Sequence, residues 1–400
     1  MALDYHSINA VTNRGLAQAT TDIASGSEKK DVSDMLDLLA IADTPFINRI
    51  GWGPETGGVK IEWISEDLGP GYVVAGSVKA SAGTSLQIAT VEGLTTAEAA
   101  RQIQTGTVLY HYSADGEHGI MLVVSVGTDG ELEIEVLSTA VTFSVNTSTT
   151  AGDKLYILGA VANEASLPRS GNWRTRVVNS NVFTILRQDV QISGSMAATD
   201  MYAIGKEDQH QILMRLKEMQ REREKSALYS VKVTPRSTSE ASLMHGALGF
   251  LAGMTGTEID TSTTALTESA VNTVVGACWE AGASKLTFYG SLTQTGKFTQ
   301  WDKTRIRTSV NESKGGGYIT SYLCECGIEL DIVPLKKVPN NIAFLIDDSK
   351  CKLRAKKGRK AIMEKLGKAG DMDDWQILSE FSLEMKGYNL HQHGLFTKLT

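Results

Sequence analysis

The sequence predicts an α+β fold, and three observations carry that expectation. An extended β-branched segment runs from Asn181 to Ser195, a long charged helix follows from Lys206 to Tyr229, and beyond residue 239 strands alternate with helices. A chain of 400 residues, 42% hydrophobic and 21% charged, has room for two or three cores and the composition of an ordinary globular protein. Its formal net charge of −7 argues against a dedicated nucleic-acid binder, because duplex affinity comes largely from Lys and Arg neutralising phosphates. No apolar run is long enough to span a bilayer, and the amino terminus lacks the basic head and apolar core of a secretory signal.

Residues 1 to about 30 are rich in Ala, Thr, Ser and Asn and read as a pliable arm. Asp34 to Ala42 can form a short helix, which Pro45 should stop because proline disfavours helix in the residue before it. Phe46 and Ile47 then look like an anchor, and Val59 to Ile64 like a strand. Gly69 to Gly83 reads as an exposed, adaptable loop. From about 95 to 165, short strands recur between Asp-Gly and Gly-Asp turns, the pattern of a small all-β barrel or sandwich.

The segment from Val182 to Ile192 reads as a strand with one drier face, ended by Ser193-Gly194-Ser195. Behind it, Ile212, Leu213, Leu216 and Met219 mark one narrow helix stripe, and the surrounding Arg, Lys and Glu residues read as solvated. About 24 residues at about 1.5 Å each make a rod about 36 Å long. Pro235 to Thr238 reads as a linker. Glu268 to Ala281 is then an amphipathic helix placing Val271, Val274, Val275, Cys278 and Trp279 on one face, with a second helix from Leu292 to Trp301. Strands are expected at 286–289, 305–307, 318–323, 328–333 and 342–346, and mainly strand from Trp375 to Leu399.

The candidates for chemistry are weak. Gly290 to Lys297 has five residues between its glycine and the next Gly-Lys position's equivalent spacing where a phosphate loop needs four, and Phe298 stands where a Ser or Thr would hold magnesium. Gly315-Gly316-Gly317 opens no helix, and Cys324-Glu325-Cys326 has no matching second pair. His391 and His393 lack a third ligand, and Asp371, Asp373 and Asp374 read as a solvated turn. The sequence therefore implies no catalytic, cofactor-binding or metal-binding residues, and no enzyme. Lys350 to Lys368 is strongly basic and without interleaved aromatics, so it reads as a sequence-blind phosphate contact, a solvated face or an intersubunit ion-pair surface.

The order of arm, long hairpin with an inserted β module, spine helix, α/β region and returning strand resembles the major capsid proteins of tailed bacteriophages. The fold implied is the α+β Hong Kong 97-type phage capsid fold, in the subfamily with a small all-β domain inserted in the extended loop. The residues carrying the resemblance are Asp43-Thr44-Pro45-Phe46, Asn181 to Gly194, Glu207 to Leu228, Val338-Pro339-Asn340, Leu345-Ile346-Asp347, Leu366 to Asp371 and Glu380 to Glu384. The resemblance implies an arm at 1–58, an extended loop at 59–180 containing the inserted domain at about 95–165, and a peripheral domain at 181–238 with its spine helix at 206–229. It further implies an axial domain at 239–370 and a carboxyl-terminal strand at 371–400 returning to the peripheral domain.

Functionally, the resemblance implies self-assembly as hexamers and pentamers into an icosahedral or prolate head shell enclosing double-stranded DNA. The expected partners are further copies of the chain, a scaffolding protein, a portal, a decoration protein and DNA held without sequence preference, with no membrane. The expected location is the virion capsid, after assembly in the bacterial host cytoplasm. The alternative is a phage tail or host-recognition structural protein that forms small rings or trimers and binds a surface ligand through its β module.

Overall fold

The computed structural model describes residues 44–66, 71–76, 85–88, 103–112, 118–127, 131–137, 151–162, 164, 176–199, 207–233, 242–253, 258–260, 265–302, 320–325, 327–368 and 370–400. The expected helix at 34–42, the strand at 305–307, the linker at 235–238, Gly315 to Gly317 and Cys326 lie outside these residues. The chain forms two compact units. Among described residues, the smaller takes Gln188–Glu218 and Glu364–Gln376, and the larger takes Asp43–Arg187, Met219–Met363 and Ile377–Thr400, each starting at its first described position.

The strands of the first half are β1 (Lys60–Ser65), β2 (Tyr72–Val74), β3 (Ser85–Gln87), β4 (Thr107–Tyr112), β5 (His118–Val126), β6 (Glu131–Val136), β7 (Lys154–Ala160), β8 (Val177–Val182) and β9 (Thr184–Ser193). β1 and β8 pair antiparallel as a two-stranded ribbon, from Lys60 opposite Val182 to Ser65 opposite Val177. Between them in sequence, six strands pair in the order β2-β7-β4-β5-β6-β3. A bridge between Ala75 and Ile88 then joins the last strand to the first, and Gly76 donates its N–H to the Gln87 carbonyl at 2.7 Å. The first and last strands are thereby brought together, and the sheet curls into a small barrel. Alternation fills it: Val73, Leu86, Leu109, Met121, Val123, Leu132, Ile134 and Leu155 point inward as one core. The expected exposed loop at Gly69 to Gly83 is corrected here, because Tyr72–Val74 is a barrel strand and both Val73 and Ala75 are buried. β-branched Val73 and Val74 prevail over the surrounding glycines because a barrel wall was there to receive them.

The second half adds β10 (Glu258–Asp260), β11 (Leu286–Ser291), β12 (Ser321–Leu323), β13 (Glu329–Leu335), β14 (Ala343–Asp347), β15 (Cys351–Ala355), β16 (Ile362–Lys365), β17 (Met372–Met385) and β18 (Gly394–Thr397). A six-stranded mixed sheet runs β10-β18-β14-β11-β13-β12. Its central strands β11 and β14 are buried at every position, as strands covered on both faces are. The helices Glu268–Glu280 and Leu292–Asp302 supply Val271, Val274, Val275, Cys278 and Phe298 to the core that includes Phe288, Ile332 and Phe396. Thr267 caps the first of them, its hydroxyl accepting from the Ala270 N–H. Trp279 is exposed, against expectation: it lies on nearly the same side as buried Asn272, seven residues earlier, but in the last turn of the helix.

Another core of the larger unit gathers Phe46, Ile50, Trp63, Phe183, Leu228, Phe250 and Phe381. Phe46 comes from a short helix, Pro45–Ile50, and meets the Tyr289 ring edge-on at 5.1 Å. Pro45 thus begins a helix, occupying a first-turn position where its missing N–H costs nothing. The spine helix spans Glu207–Tyr229. Ile212, Met219, Arg223, Glu224, Ala227 and Leu228 are its buried positions, whereas Leu213, expected in the stripe, is exposed. Adjacent helical positions diverge by about 100°, and near the start of the helix Ile212 takes the covered side while Leu213 does not; further along, the adjacent pairs Arg223–Glu224 and Ala227–Leu228 are both covered. In the smaller unit, β9 and β16 both pair with β17, Gly194 donates its N–H to the Asp371 carbonyl, and Asp373 is held by Lys365 and Lys368.

Candidate assembly surfaces

The β1–β8 ribbon has two unlike faces. Ile61 and Trp63 point into the core, while Ile64 and Val178, directly opposite each other in register, are 64% and 61% exposed, with Val59 and Val177 also exposed. Together these side chains leave one face of the ribbon apolar and open to solvent. Asn181 fixes the ribbon's root. Its amide nitrogen donates to the His245 and Leu383 carbonyls at 2.9 and 2.8 Å, and its amide oxygen accepts from the His245 and Val182 N–H groups. Beside it, Asn179 donates to Ser65 and accepts from the Tyr388 hydroxyl. A saturated, buried amide of this kind is costly to disturb, so the ribbon projects from a rigid base. An asparagine on the inward parity of a β-branched run was the sequence signal for it.

The basic stretch from Lys350 to Lys368 is mostly neutralised within the chain. Arg354 pairs with Glu384 at 2.7 Å, Lys356 and Arg359 both pair with Glu380 at 3.0 and 2.7 Å, and Lys365 and Lys368 pair with Asp373. Lys350 binds the Gln392 side chain and the Gly282 carbonyl, and the Lys360 ammonium lies 4.5 Å from the centre of the Trp52 ring. Among the described residues, Lys352 and Lys357 have no carboxylate partner. Glu380 and Glu384 are themselves buried, so these pairs tie β15 and the turn after it to β17. Arg223 of the spine helix, read from sequence as solvated, is buried as well. It donates to Ser379 and the Lys360 carbonyl and lies over Trp52, and burial lowers its pKa.

Where the sequence offered chemistry, the structure provides packing. Gly290 is inside β11 and Lys297 donates to the Thr400 carbonyl, so no glycine-rich turn faces a phosphate. His393 is buried, accepting the Asp347 N–H at Nδ1 and donating from Nε2 to the Lys386 carbonyl. With both nitrogens used it is no metal ligand, and burial drives its pKa down to about 4. Among the described residues no group of three or more His, Cys, Asp or Glu side chains converges as a metal site. Burial pushes the Cys278 thiol up to about 12 and the Cys351 thiol well above its usual value, which leaves both unreactive. Asp348 is also raised by burial, although Tyr289, Thr287 and Arg49 all donate to it or pair with it. Next to it, burial would raise Asp347, but hydrogen bonds from Ser349 and Ser284, with Lys350 nearby, hold it below the usual range. These acids lock β14 to its neighbours. No described helix is long and apolar enough to cross a membrane.

The family described as SU10 major capsid protein matches residues 11–400. The chain is similar in structure to a chain of the cyanophage A-1(L) capsid asymmetric unit, with 10% identity and a TM-score of 0.55 over 94% of this chain and 98% of that one. It is also similar to a chain from Mycobacterium phage Cain, with 10% identity and a TM-score of 0.47 over 96% and 98% of the two chains. A third similar chain comes from the holo-SrpI encapsulin complex of Synechococcus elongatus PCC 7942, with 11% identity and a TM-score of 0.42 over 56% and 78%. No curated protein matches the sequence.

Proposed function

The chain belongs to the SU10 major capsid protein family, and from that premise we propose that its copies assemble as hexamers and pentamers into an icosahedral or prolate head shell around double-stranded DNA. Formation of the capsid shell is its function, and its fold is the Hong Kong 97-type capsid fold expected from the order of elements. The observation that carries the finer reading is the extent of the family match, residues 11–400, which takes in every element described above. That extent favours a shell subunit over a tail or host-recognition protein.

In this reading residues 59–180 form the extended loop, with the barrel inserted beyond the β1–β8 ribbon, and 239–370 form the axial domain. The exposed Ile64–Val178 pair rests on a neighbouring subunit. Contacts between unlike surfaces close into rings when the rotation permits, and a rigid root under an apolar ribbon suits such a contact. Lys352 and Lys357 are the cations left for sequence-blind contact with packaged DNA, and a separate scaffolding protein, a portal and a decoration protein complete the particle. Assembly takes place in the bacterial host cytoplasm.

The test is expression of the chain alone and with its neighbouring virion genes, followed by negative-stain electron microscopy. Closed shells built of five- and six-membered rings are the expected product. A persistent monomer in the presence of those gene products, or a ring of another order, would overturn the proposal.

A further inference from the structure

The loop between β17 and β18 ties together three parts of the larger unit. Its ends meet at His393, whose Nε2 donates to the Lys386 carbonyl at 2.8 Å while Nδ1 accepts the Asp347 N–H of β14 at 3.1 Å. Between those ends lies a tight turn, Tyr388–Leu390, flanked by Gly387 and His391, both in the left-handed region at φ 77° and 57°. Gly387 has to be glycine, because a Cβ there would collide with the Gln392 side chain. Gln392 in turn donates to the Ala281 carbonyl, just past the helix Glu268–Glu280, and accepts from Lys350. From the apex of the turn, the Tyr388 hydroxyl donates to Asn179 at 3.0 Å, and its ring packs edge-on against Trp63 at 6.4 Å and tilted against Phe250 at 4.8 Å. Asn179 and Trp63 are opposite each other in register, an inward pair of the β1–β8 ribbon.

We propose that His393 is a proton-operated clasp: it holds this loop shut so that Tyr388 braces the ribbon, and its protonation frees the loop and the ribbon's root together. Imidazole fits its place only as the tautomer with a proton on Nε2 and a lone pair on Nδ1. A proton added at Nδ1 would face the Asp347 N–H, so the charged ring has to leave a partner, and the mouth of the loop opens. The surrounding charges do not relieve that conflict. Asp347 favours the imidazolium, but its carboxylate is already taken by Ser284 and Ser349. Lys350 opposes the charge, and Lys386 turns its ammonium toward Glu384 at 3.4 Å. Gly394, next in the chain, lies against Val274, so the helix Glu268–Glu280 meets this place with an apolar side chain. Burial outweighs the rest and brings the folded pKa down to about 4, from 6.5 for a free histidine. A ring released from burial titrates at its ordinary value, so the open loop gains on the closed one as pH falls from about 6.5 toward 4, roughly twentyfold between pH 7 and pH 5. The clasp is a property of the subunit alone, independent of how copies assemble.

Hydrogen–deuterium exchange with mass spectrometry tests the proposal on the unassembled full-length protein at pH 7 and pH 5, each rate corrected for the intrinsic pH dependence of amide exchange. Peptides covering 386–393 and the ribbon strands, 60–65 and 177–182, should lose protection together, by roughly twentyfold at pH 5, while β4 and β5 of the barrel keep theirs. In His393→Gln the side-chain amide can accept from Asp347 and donate to Lys386 without titrating, so loop and ribbon should exchange alike at both pH values. Tyr388→Phe removes the hydrogen bond to Asn179 but keeps the ring, and should speed ribbon exchange roughly fivefold already at pH 7. The native chain and Tyr388→Phe carry the test even if His393→Gln does not fold. A loop that loosens at pH 5 beside an unchanged ribbon would overturn the proposal, as would a ribbon indifferent to Tyr388→Phe. So would an equal pH effect in the native and His393→Gln proteins, or protection lost evenly from ribbon, barrel and the strands β11 and β14.

Discussion

Protonation of His393 should weaken the subunit between neutral and mildly acidic pH. The imidazole is fully buried, with Nδ1 accepting the Asp347 N–H at 3.1 Å and Nε2 donating to the Lys386 carbonyl at 2.8 Å. A second ring proton would point N–H at N–H, so the folded state resists it. The charged neighbours act in opposite senses: Asp347 favours the imidazolium and Lys350 opposes it, while burial dominates and sets the folded pKa near 4 against 6.5 for a free histidine. The unfolded chain therefore binds this proton first as pH falls, and stability is lost between about 6.5 and about 4. At about 1.4 kcal/mol for each pKa unit, the loss is about 2 kcal/mol by pH 5 and about 3 kcal/mol by pH 4. Urea unfolding of unassembled subunits at pH 7 and pH 5, compared with His393→Gln, isolates the effect because the other groups titrate in both proteins. The native chain should lose about 2 kcal/mol more than the variant over that interval. Equal losses would refute the reasoning, as would an imidazole NMR titration with a midpoint near 6.5.

Glu380→Ala should leave Lys356 and Arg359 without their shared carboxylate and cost roughly 2 kcal/mol in urea unfolding, reduced from a fully buried pair because both cations are partly exposed; an unchanged midpoint would mean solvent already screens them. Gly246→Ala would place a methyl carbon 2.6 Å from the Ser226 carbonyl and 2.8 Å from that of Ala227, at the end of the spine helix. The expected cost is about 1–3 kcal/mol, read as a lowered thermal midpoint. Replacing residues 67–175 by a short Gly-containing turn should leave a folded subunit, since Ser65 and Val177 already face each other in register; loss of the cooperative transition would show that the barrel supports the other cores. The double variant Lys352→Glu with Lys357→Glu should keep the subunit's stability while reducing DNA retained in filled particles, and equal DNA content would remove these lysines from any role in packaging.

Local patterns made much of this protein legible. Residue periodicity located the spine helix within one residue at its start, and the helices and strands beyond residue 265 emerged from the same signals because each buries one face against a neighbour. Misjudgements fell where parity or distant partners decide. Leu213 and Trp279 look like members of an apolar stripe, yet which arc of a helix is covered depends on what packs against it. The basic stretch looked like a surface for an outside partner because Glu380 and Glu384, which neutralise much of it, are remote in sequence and arrive through antiparallel pairing of β15 with β17.

By itself, the sequence determined the class of fold, the serial order of ribbon, β module, spine and α/β region, and the absence of a recognisable catalytic motif, all of which follow from local spacing and residue type. Tertiary structure alone decided that the β module curls together through Ala75 and Ile88, that Asn181 is saturated by four hydrogen bonds, and that the Tyr388 hydroxyl meets Asn179. Each of these is a pairing between distant segments, fixed by register and burial, which are properties of strands already assembled and not of any one strand's composition.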